Sequence, residues 1–345
     1  MSDINIDNKA YKKKILLTGG AGYIGSHVAV ALLESGFDIV IADNLSNSSE
    51  ESLSGIRKIT GRDFSFYNID VCDKSLLVDL FEREELDAAI HLAGYKAVED
   101  AVKSPVKYYR NNIASTTSLL EVMDNYGVRK IILSSSANVY GESSVVPVTE
   151  GCETGNCTNP YGRTKWVQEE MLRDLFAADD RWNIVILRYF NPAGAHESGL
   201  IGEMYGKSPS NIVPSLALAA NGDIPYFRVL GSGYNTPDGT GIRDYIHITD
   251  LANGHVMAIK KLYSQPNVYT YNLGTGRGYS VLETIKAFEK ASGREIPYKI
   301  ETARDGDIAE MYACSDKARE ELGWTAKYGI EDICRSAWNW HNKIY

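Results

Sequence analysis

A glycine-rich turn between an apolar strand and a helix constrains the fold of this chain more than any other feature. The apolar segment KILLT, Lys14–Thr18, is followed directly by TGGAGYIG, in which Gly19, Gly22 and Gly25 recur at every third residue. Each glycine removes a Cβ atom, which permits a tight turn, a close approach of backbone to a pyrophosphate and close packing of helix on strand. A purely structural turn could use the same glycines. The strand-turn-helix setting nevertheless predicts a dinucleotide-binding site.

The first half of the chain alternates apolar β-branched segments with segments of helical periodicity. Further strands are expected at Asp38–Asp43, Asp87–Ala93, Lys130–Ser136 and Asn183–Phe190. Helices are expected at Tyr23–Ser35, Lys74–Glu84, Pro105–Tyr126 and Tyr161–Ala177. Strands that alternate with helices predict an α/β fold with a Rossmann-like, doubly wound parallel sheet.

The pattern changes near Gly194, where Gly, Pro and Asn become frequent between shorter periodic segments. We therefore expect a flexible leader at 1–13, a dinucleotide-binding domain at 14–190 and a smaller α/β C-terminal domain at 191–345. The segment 244–262 has the pattern of a strand and a helix that could return to the first domain.

Charge and cysteine content exclude several classes of function. The chain has 36 basic and 45 acidic residues, a net charge of -9, which repels DNA and anionic membrane surfaces. The five cysteines are scattered and form no CxxC pair, so we expect no disulfide framework, no metal site and a cytoplasmic protein. The polar start and the absence of 18 consecutive apolar residues predict neither a secretory signal nor a membrane span.

Asp43 ends the second predicted strand and is the candidate ligand of an adenosine ribose. A dinucleotide fold places an acidic residue there, roughly 20 residues beyond the glycines, to accept hydrogen bonds from the ribose hydroxyls. The segment Asn44–Asn47 lacks the arginine that a 2′-phosphate would require, so NAD is favoured over NADP. The alternative is that Asp43 only caps a turn.

Tyr161 and Lys165 stand four residues apart, on one face of a predicted helix, and Ser136 ends the strand before it. A tyrosine acts as a base near neutral pH only if its pKa falls by roughly 3 units from about 10, which corresponds to about 4 kcal/mol. A unit charge at about 4 Å contributes about that much at an effective dielectric of 20. Lys165 and an oxidised nicotinamide would supply two such charges. Tyr161 is therefore a candidate general base, although many surface helices carry a similar pair.

Seven motifs together resemble the UDP-glucose (UDP-galactose) 4-epimerase family of extended short-chain dehydrogenase/reductases. They are TGGAGYIGSH, HLAGYKAV, SSSANVYG, YGRTK, LRYFNPAGA, DGTGIRDYIHITDLA and YNLGTG, and the resemblance runs from about Lys14 to the C-terminus. It implies that Tyr161 removes the proton of the sugar C4 hydroxyl while the hydride passes to tightly held NAD. The 4-keto sugar then turns over and takes the hydride back on its other face. Lys165 would orient the nicotinamide ribose, and Ser136 would bind the sugar oxygen.

The resemblance also implies two sets of binding residues. Besides the three glycines, the NAD contacts would be Tyr23, Ile24, Asp43, Asn44, Asn47, Ser48, Asp70, Val71, Leu92, Ala93, Gly94, Lys96, Asn111, Ser134, Tyr161, Lys165, Tyr189 and Pro192. The UDP-sugar contacts, mostly in the C-terminal domain, would be Lys96, Ser136, Tyr161, Asn191, Asn211, Arg243, Tyr245, Arg304, Asp307 and Met311. Ordinary strand packing remains an alternative role for Val71 and Leu92.

The substrate range and the assembly follow from the same resemblance. Met311 stands where the family limits the room beside the sugar C2 substituent, and its flexible side chain leaves N-acetylated UDP-hexoses open as alternative substrates. The helices expected at Pro105–Tyr126 and Tyr161–Ala177 resemble those that pair in family homodimers. We therefore expect a homodimer that binds UDP-sugar and neither nucleic acid nor membrane.

Other functions remain as alternatives. Sugar-nucleotide 4,6-dehydratases share the tyrosine and lysine but need an acid pair to eliminate water, and Ala137 and Asn138 stand where an Asp-Glu pair would be. Reductases and decarboxylases of the same superfamily are further enzymatic alternatives. A non-catalytic NAD-binding protein is also compatible with the fold, because a fold alone does not establish activity.

Overall fold

The computed structural model of the chain describes residues 13–143, 145–206, 209, 211–304 and 307–344. All but the last residue of the predicted leader lie outside these ranges. The strands are β1 Lys14–Thr18, β2 Asp38–Ala42, β3 Ser65–Tyr67, β4 Ala88–His91, β5 Lys130–Ser136, β6 Asn183–Tyr189, β7 Asn191–Ala193, β8 Phe227–Leu230, β9 Ile242–His247, β10 Val268–Leu273, β11 Gly278–Ser280, β12 Tyr298–Glu301 and β13 Glu310–Met311.

Eleven α-helices lie within the described residues. They are α1 Tyr23–Glu34, α2 Glu50–Thr60, α3 Lys74–Arg83, α4 Val98–Lys103, α5 Pro105–Asn125, α6 Pro160–Ala178, α7 Ile212–Asn221, α8 Ile248–Lys261, α9 Val281–Ser292, α10 Asp316–Leu322 and α11 Ile330–Ile344. Within the described part of the chain, none of them combines the length and apolar character needed to cross a bilayer.

A seven-stranded parallel sheet forms the larger part of the molecule. Its strand order is β10-β6-β5-β4-β1-β2-β3, and every neighbouring pair runs parallel. Residues on both faces of the central strands are buried; β6, for example, is buried over its whole length. Such strands require helices on both faces, because parallel strands are joined by crossover helices. The predicted Rossmann-like, doubly wound fold is thus confirmed.

Two apolar layers cover this sheet. On one face, Val28 and Leu32 of α1 pack with Leu251 and Ile259 of α8. On the other face, side chains of α3, α5 and α6 pack together, among them Leu77, Leu119 and Leu172. These layers hold the carboxyl ends of the strands in a fixed arrangement at one edge of the sheet.

The smaller part of the molecule has its own sheets and core. β7, β9, β11 and β13 form a four-stranded sheet, and β8 pairs with β12. The helices α7, α9 and α11 pack around Leu216, Phe288, Ile333 and Trp338. These elements lie opposite the carboxyl edge of the large sheet and form the second wall of a cleft.

The chain crosses between the two parts more than once after residue 190. In the segment 244–262, β9 joins the small sheet, whereas α8 returns to pack against α1. β10 then pairs with β6 as the edge strand of the large sheet. The seventh strand of the large sheet therefore comes from the C-terminal half of the chain.

Candidate active site

A cleft of about 1620 Å³ runs between the carboxyl edge of the large sheet and the smaller part of the molecule, and a side pocket of about 200 Å³ opens beside it. Open α/β sheets bind ligands at this edge. The cleft exceeds the roughly 300–1,000 Å³ of a typical pocket for one small ligand. Its volume therefore leaves room for more than one small ligand.

The glycine turn lies on the sheet wall of the cleft, and its glycines are required by close contacts. A Cβ atom on Gly25 would lie 2.2 Å from the carbonyl oxygen of Gly19, and one on Gly19, whose φ is +74°, would lie 2.8 Å from the nitrogen of Ala93. Gly22 caps α1 without any side-chain hydrogen bond. The first N–H groups of α1 are therefore available to an anion, as a dinucleotide pyrophosphate requires.

Asp43 both shapes the local turn and borders the cleft. Its Oδ2 accepts a hydrogen bond from Ala21 N at 3.0 Å, and its Oδ1 accepts from Leu45 N at 2.9 Å and Ser48 Oγ at 2.8 Å. The two predicted roles are compatible, because each carboxylate oxygen can accept about two hydrogen bonds and Oδ2 accepts one from Ala21. Ribose binding by Asp43 stays a prediction.

The other predicted cofactor residues surround the same space. Those that border the large cleft are Gly19, Gly22, Tyr23, Ile24, Gly25, Asp43, Asn44, Asn47, Ser48, Asp70, Val71, Leu92, Ala93, Gly94, Lys96, Asn111, Ser134 and Tyr189. Pro192 borders the side pocket. Val71 and Leu92 also pack against the apolar layers, so each side chain both packs in the core and lines the cleft.

Ser136 and Tyr161 meet in the side pocket. Ser136 is the last residue of β5, and Tyr161 lies in the first turn of α6, which Asn159 caps by accepting a hydrogen bond from Gly162 N. Burial raises the pKa of Tyr161 to about 12, and the Ser136 hydroxyl acts in the opposite direction. In the protein alone the phenol is therefore protonated at neutral pH.

Lys165 lies behind the pocket wall rather than on it. Its buried ammonium donates a hydrogen bond to the carbonyl oxygen of Ser134 at 2.7 Å. Burial lowers the pKa of Lys165 to about 8, and the nearby Glu169 carboxylate opposes that shift. In the protein alone, the side chain seen to lower the pKa of Tyr161 is Ser136, and the predicted contribution of Lys165 stays a prediction.

The predicted UDP-sugar residues form the opposite wall. The smaller part of the molecule contributes Asn191, Asn211, Arg243, Tyr245, Arg304, Asp307 and Met311 to the cleft. Asp307 joins the two arginines: Arg243 Nη2 lies 2.9 Å from Oδ1, and Arg304 Nη2 lies 3.4 Å from Oδ2. The trio carries one net positive charge, and the planar guanidinium groups suit the oxygens of a diphosphate.

Sequence patterns did not reveal Glu203 or Asn138 as site residues. Glu203 Oε1 accepts hydrogen bonds from Lys96 Nζ at 3.0 Å and Asn211 Nδ2 at 2.7 Å, but it lies in a segment without regular periodicity. Asn138 borders both cavities and donates to Ser136 Oγ. Asn159 was detectable, because an asparagine before a proline is typical of a helix start.

Residues 15–274 match the NAD dependent epimerase/dehydratase family. The chain belongs to this family. It is 52% identical over 328 residues to the UDP-glucose 4-epimerase of Bacillus subtilis (strain 168), covering 95% of this chain and 96% of that one. The predicted NAD dependence and the resemblance to 4-epimerases are thereby confirmed.

Solved structures agree with the sequence relatives. UDP-glucose 4-epimerase from Bifidobacterium longum in complex with NAD+ and UDP is 50% identical, with a TM-score of 0.93 over 96% of this chain and 99% of that one. The UDP-Glc/GlcNAc 4-epimerase of Campylobacter jejuni is 37% identical, with a TM-score of 0.84 over 96% and 99% of the two chains. The cleft of this protein therefore occurs in a fold shared by enzymes that act on UDP-sugars.

Proposed function

We propose that this protein is an NAD-dependent UDP-hexose 4-epimerase that interconverts UDP-glucose and UDP-galactose through a transient 4-keto sugar. The observation that carries the proposal is the position of Ser136 and Tyr161. They lie in the side pocket, which opens beside the cleft whose walls carry the glycine turn and the Arg243–Asp307–Arg304 trio. A sugar held between those walls would present its C4 hydroxyl to the phenol.

Each residue then has a distinct chemical task. When bound, NAD accepts and returns the hydride and brings a positive charge that favours the Tyr161 phenolate. Tyr161 takes the proton of the C4 hydroxyl as the hydride leaves and returns it when the hydride comes back. Ser136 holds the sugar oxygen. Lys165 carries a buried positive charge one helical turn from Tyr161 and orients the nicotinamide ribose.

The UDP group and the hexose of the substrate must be bound with different firmness. Arg243 and Arg304 hold the diphosphate, with Asp307 positioned for the uridine ribose, so the nucleotide is fixed. Inversion requires the 4-keto sugar to present its opposite face to the same hydride donor. The hexose must therefore be held loosely enough to turn about its bond to the diphosphate.

Met311 favours a second candidate activity, on UDP-N-acetylglucosamine and UDP-N-acetylgalactosamine. The side chain borders the cleft and packs in one apolar cluster with Ala137 and Phe190. An unbranched methionine can adopt several rotamers and so make room for a larger C2 substituent. The related Campylobacter enzyme is named as a 4-epimerase of both UDP-Glc and UDP-GlcNAc, a plain and an N-acetylated hexose.

The first test is epimerisation by the purified protein without added NAD. UDP-galactose and UDP-N-acetylgalactosamine are incubated separately, and the C4 epimers are followed by chromatography. Conversion of UDP-galactose supports the proposal, and conversion of both shows that Met311 leaves the C2 pocket open. No conversion of either substrate, even with NAD supplied, would refute it.

Replacement of the proposed base gives a sharper test. We expect Tyr161→Phe to lower kcat by roughly 10²–10⁴-fold, the usual contribution of a general acid-base group, while UDP still binds. Tyr298→Phe is the matched control, because Tyr298 is 46% exposed and borders neither the cleft nor the side pocket. Equal kcat values for the two variants would contradict the role of Tyr161.

We also propose that the protein is a cytoplasmic homodimer. The described cysteines are all unpaired, as a reducing compartment favours. Val106 and Tyr109 of α5 are 77% and 37% exposed, which suits a face that a second copy would cover. Light scattering of the purified protein would test the assembly, and a monomeric mass at micromolar concentration would contradict it.

A further inference from the structure

The hydroxyl group of Ser136 accepts two hydrogen bonds from one residue. Asn138 donates to Ser136 Oγ from its side-chain Nδ2 at 2.9 Å and from its backbone nitrogen at 3.2 Å. A serine hydroxyl has two acceptor lone pairs and one hydrogen. Because Asn138 uses both lone pairs, the hydrogen of Ser136 must point away from Asn138.

The orientation of the Asn138 amide is set by a donor that cannot reverse. The backbone N–H of Gly162 donates to Asn159 Oδ1 at 2.8 Å, which identifies the other end of the Asn159 amide as its NH₂ group. That NH₂ group donates to Asn138 Oδ1 at 3.0 Å. Asn138 must therefore present its own NH₂ group to Ser136. The donor and acceptor in each of these hydrogen bonds are thus fixed by the backbone N–H of Gly162.

The same contacts join the serine to the helix that carries the tyrosine. Asn138 lies in a short 3-10 turn, Ala137–Tyr140, directly after β5. A Cβ atom on Gly162 would lie 2.8 Å from the carbonyl oxygen of Asn138, so α6 begins in direct contact with this turn. Ser136, Asn138 and Tyr161 all border the side pocket.

We propose that Asn138 is a positioning residue that commits the Ser136 hydroxyl to donate its hydrogen into the pocket. The acceptors there are the Tyr161 oxygen and the 4-oxygen of the sugar, so this role rests on the proposed epimerase function. A donor fixed in this direction stabilises the negative charge that the phenolate carries and the partial charge of the 4-keto oxygen. Without Asn138, the hydroxyl could rotate and act as an acceptor instead.

A double-mutant cycle tests whether Asn138 acts through Ser136. In Asn138→Leu the amide is removed and the size is retained. We expect kcat to fall roughly 10- to 100-fold, as loss of a hydrogen bond to a charged group implies, with little change in KM. In the Ser136→Ala background the same substitution should have no further effect on kcat, because the group that Asn138 orients is already gone.

The pH profile distinguishes positioning from a purely structural role. Loss of a donor to the phenolate raises the pKa of Tyr161, so the acid limb of kcat should move to higher pH in Asn138→Leu. Asn159→Ser is the second variant, because serine retains a cap for α6 and removes the donor to Asn138. It should shift the acid limb in the same direction without lowering the Tm by more than a few degrees.

Three results would overturn the role of Asn138. They are additive effects of the two substitutions in the cycle, an unshifted acid limb in Asn138→Leu, or wild-type kcat and profile in Asn159→Ser. An inactive wild-type protein has a different meaning, since it would refute the epimerase function on which the role rests. Turnover by the wild type with unaltered variants would refute the role of Asn138 alone.

Discussion

Glu203 connects the two walls of the cleft through one carboxylate oxygen. Lys96 follows the carboxyl end of β4, whereas Asn211 immediately precedes α7 in the smaller part of the molecule. Both donate to Glu203 Oε1, and the glutamate side chain is only 14% exposed. In the protein alone, Lys96 and Asn211, which are both predicted to bind ligands, thus donate hydrogen bonds to the Glu203 carboxylate. An incoming diphosphate must compete with that charge for Lys96.

Neutralising Glu203 should strengthen nucleotide binding. Glu203→Gln keeps an acceptor for Lys96 and Asn211 but removes the charge, and we expect UDP to bind roughly 3- to 10-fold more tightly at low salt, as about 1 kcal/mol of electrostatic gain implies. Calorimetric titration at two salt concentrations would measure the difference, which should shrink as salt rises. Glu121→Gln, in an exposed pair with Lys74, is the control. Weaker binding by Glu203→Gln would contradict this account.

At the scale of elements, a buried ion pair ties α6 to the sheet beneath the proposed catalytic residues. Arg188 of β6 donates to both carboxylate oxygens of Glu169, at 3.0 and 2.6 Å, and both side chains are at most 3% exposed. Ser135, next to Ser136, donates to Glu169 Oε1 at 2.5 Å. The helix that carries Tyr161 and the strand that carries Ser136 therefore share one anchor.

Removal of one partner of this pair should be costly. We expect Glu169→Gln to lower the free energy of unfolding by about 3–5 kcal/mol, because it leaves the buried charge of Arg188 without a counter-ion. Glu170→Gln provides a control on the same helix, where the carboxylate is 48% exposed, and should change stability by less than about 0.5 kcal/mol. Urea unfolding of both variants would measure the contrast. Similar midpoints for the two would show that Glu169 is not the anchor.

The close contact between Gly25 and Gly19, at the junction of β1 and α1, predicts the effect of a substitution there on stability and NAD binding. Gly25→Ala places a methyl group 2.2 Å from the Gly19 carbonyl oxygen, so we expect a loss of about 1–3 kcal/mol in stability and a loss of bound NAD. Gly329→Ala is the matched control, because no atom lies within 4 Å of its added Cβ. Stability and the nucleotide content of the purified proteins are the measurements. NAD retained at wild-type levels in Gly25→Ala would contradict the proposed turn geometry.

At the scale of the whole molecule, buried histidines in both parts are held neutral. Burial lowers the pKa of His27 and His91 to about 3, and that of His247 and His255 to about 4. These residues lie on α1, β4, β9 and α8, so they are distributed across the large sheet layers and the small sheet. Protonation of any of them favours the unfolded chain.

Stability should therefore decrease on the acid side. Each folded-state pKa lies below the usual histidine value of 6.5, so the unfolded chain binds more protons below that pH. The free energy of unfolding is therefore undiminished by these histidines above about pH 6.5 and decreases as the pH falls toward 4. Urea unfolding at pH 7.5, 6 and 5 would measure it. A free energy of unfolding that stays constant across this range would contradict the burial of these rings.

The sequence determined the local elements and the residues that begin or end them. Apolar periodicity predicted β5 and α6 to within a residue or two, and the glycine spacing predicted the turn before α1, because these features depend on neighbours a few residues apart. Motifs carried by those elements also sufficed to predict the family and the NAD cofactor. Ser136 was a candidate because it ends a predicted strand, and Tyr161 because Lys165 follows four residues later on the same helix face.

The tertiary structure decided which distant segments meet. β10 joins β6 as the edge of the large sheet, Glu203 reaches Lys96 across the cleft, and Asn159, the cap of α6, donates to Asn138. No local period encodes these contacts, since each depends on the packing of elements that are separated along the chain. A side chain's hydrogen-bond partners and burial, and hence its pKa, exist only once that packing has formed.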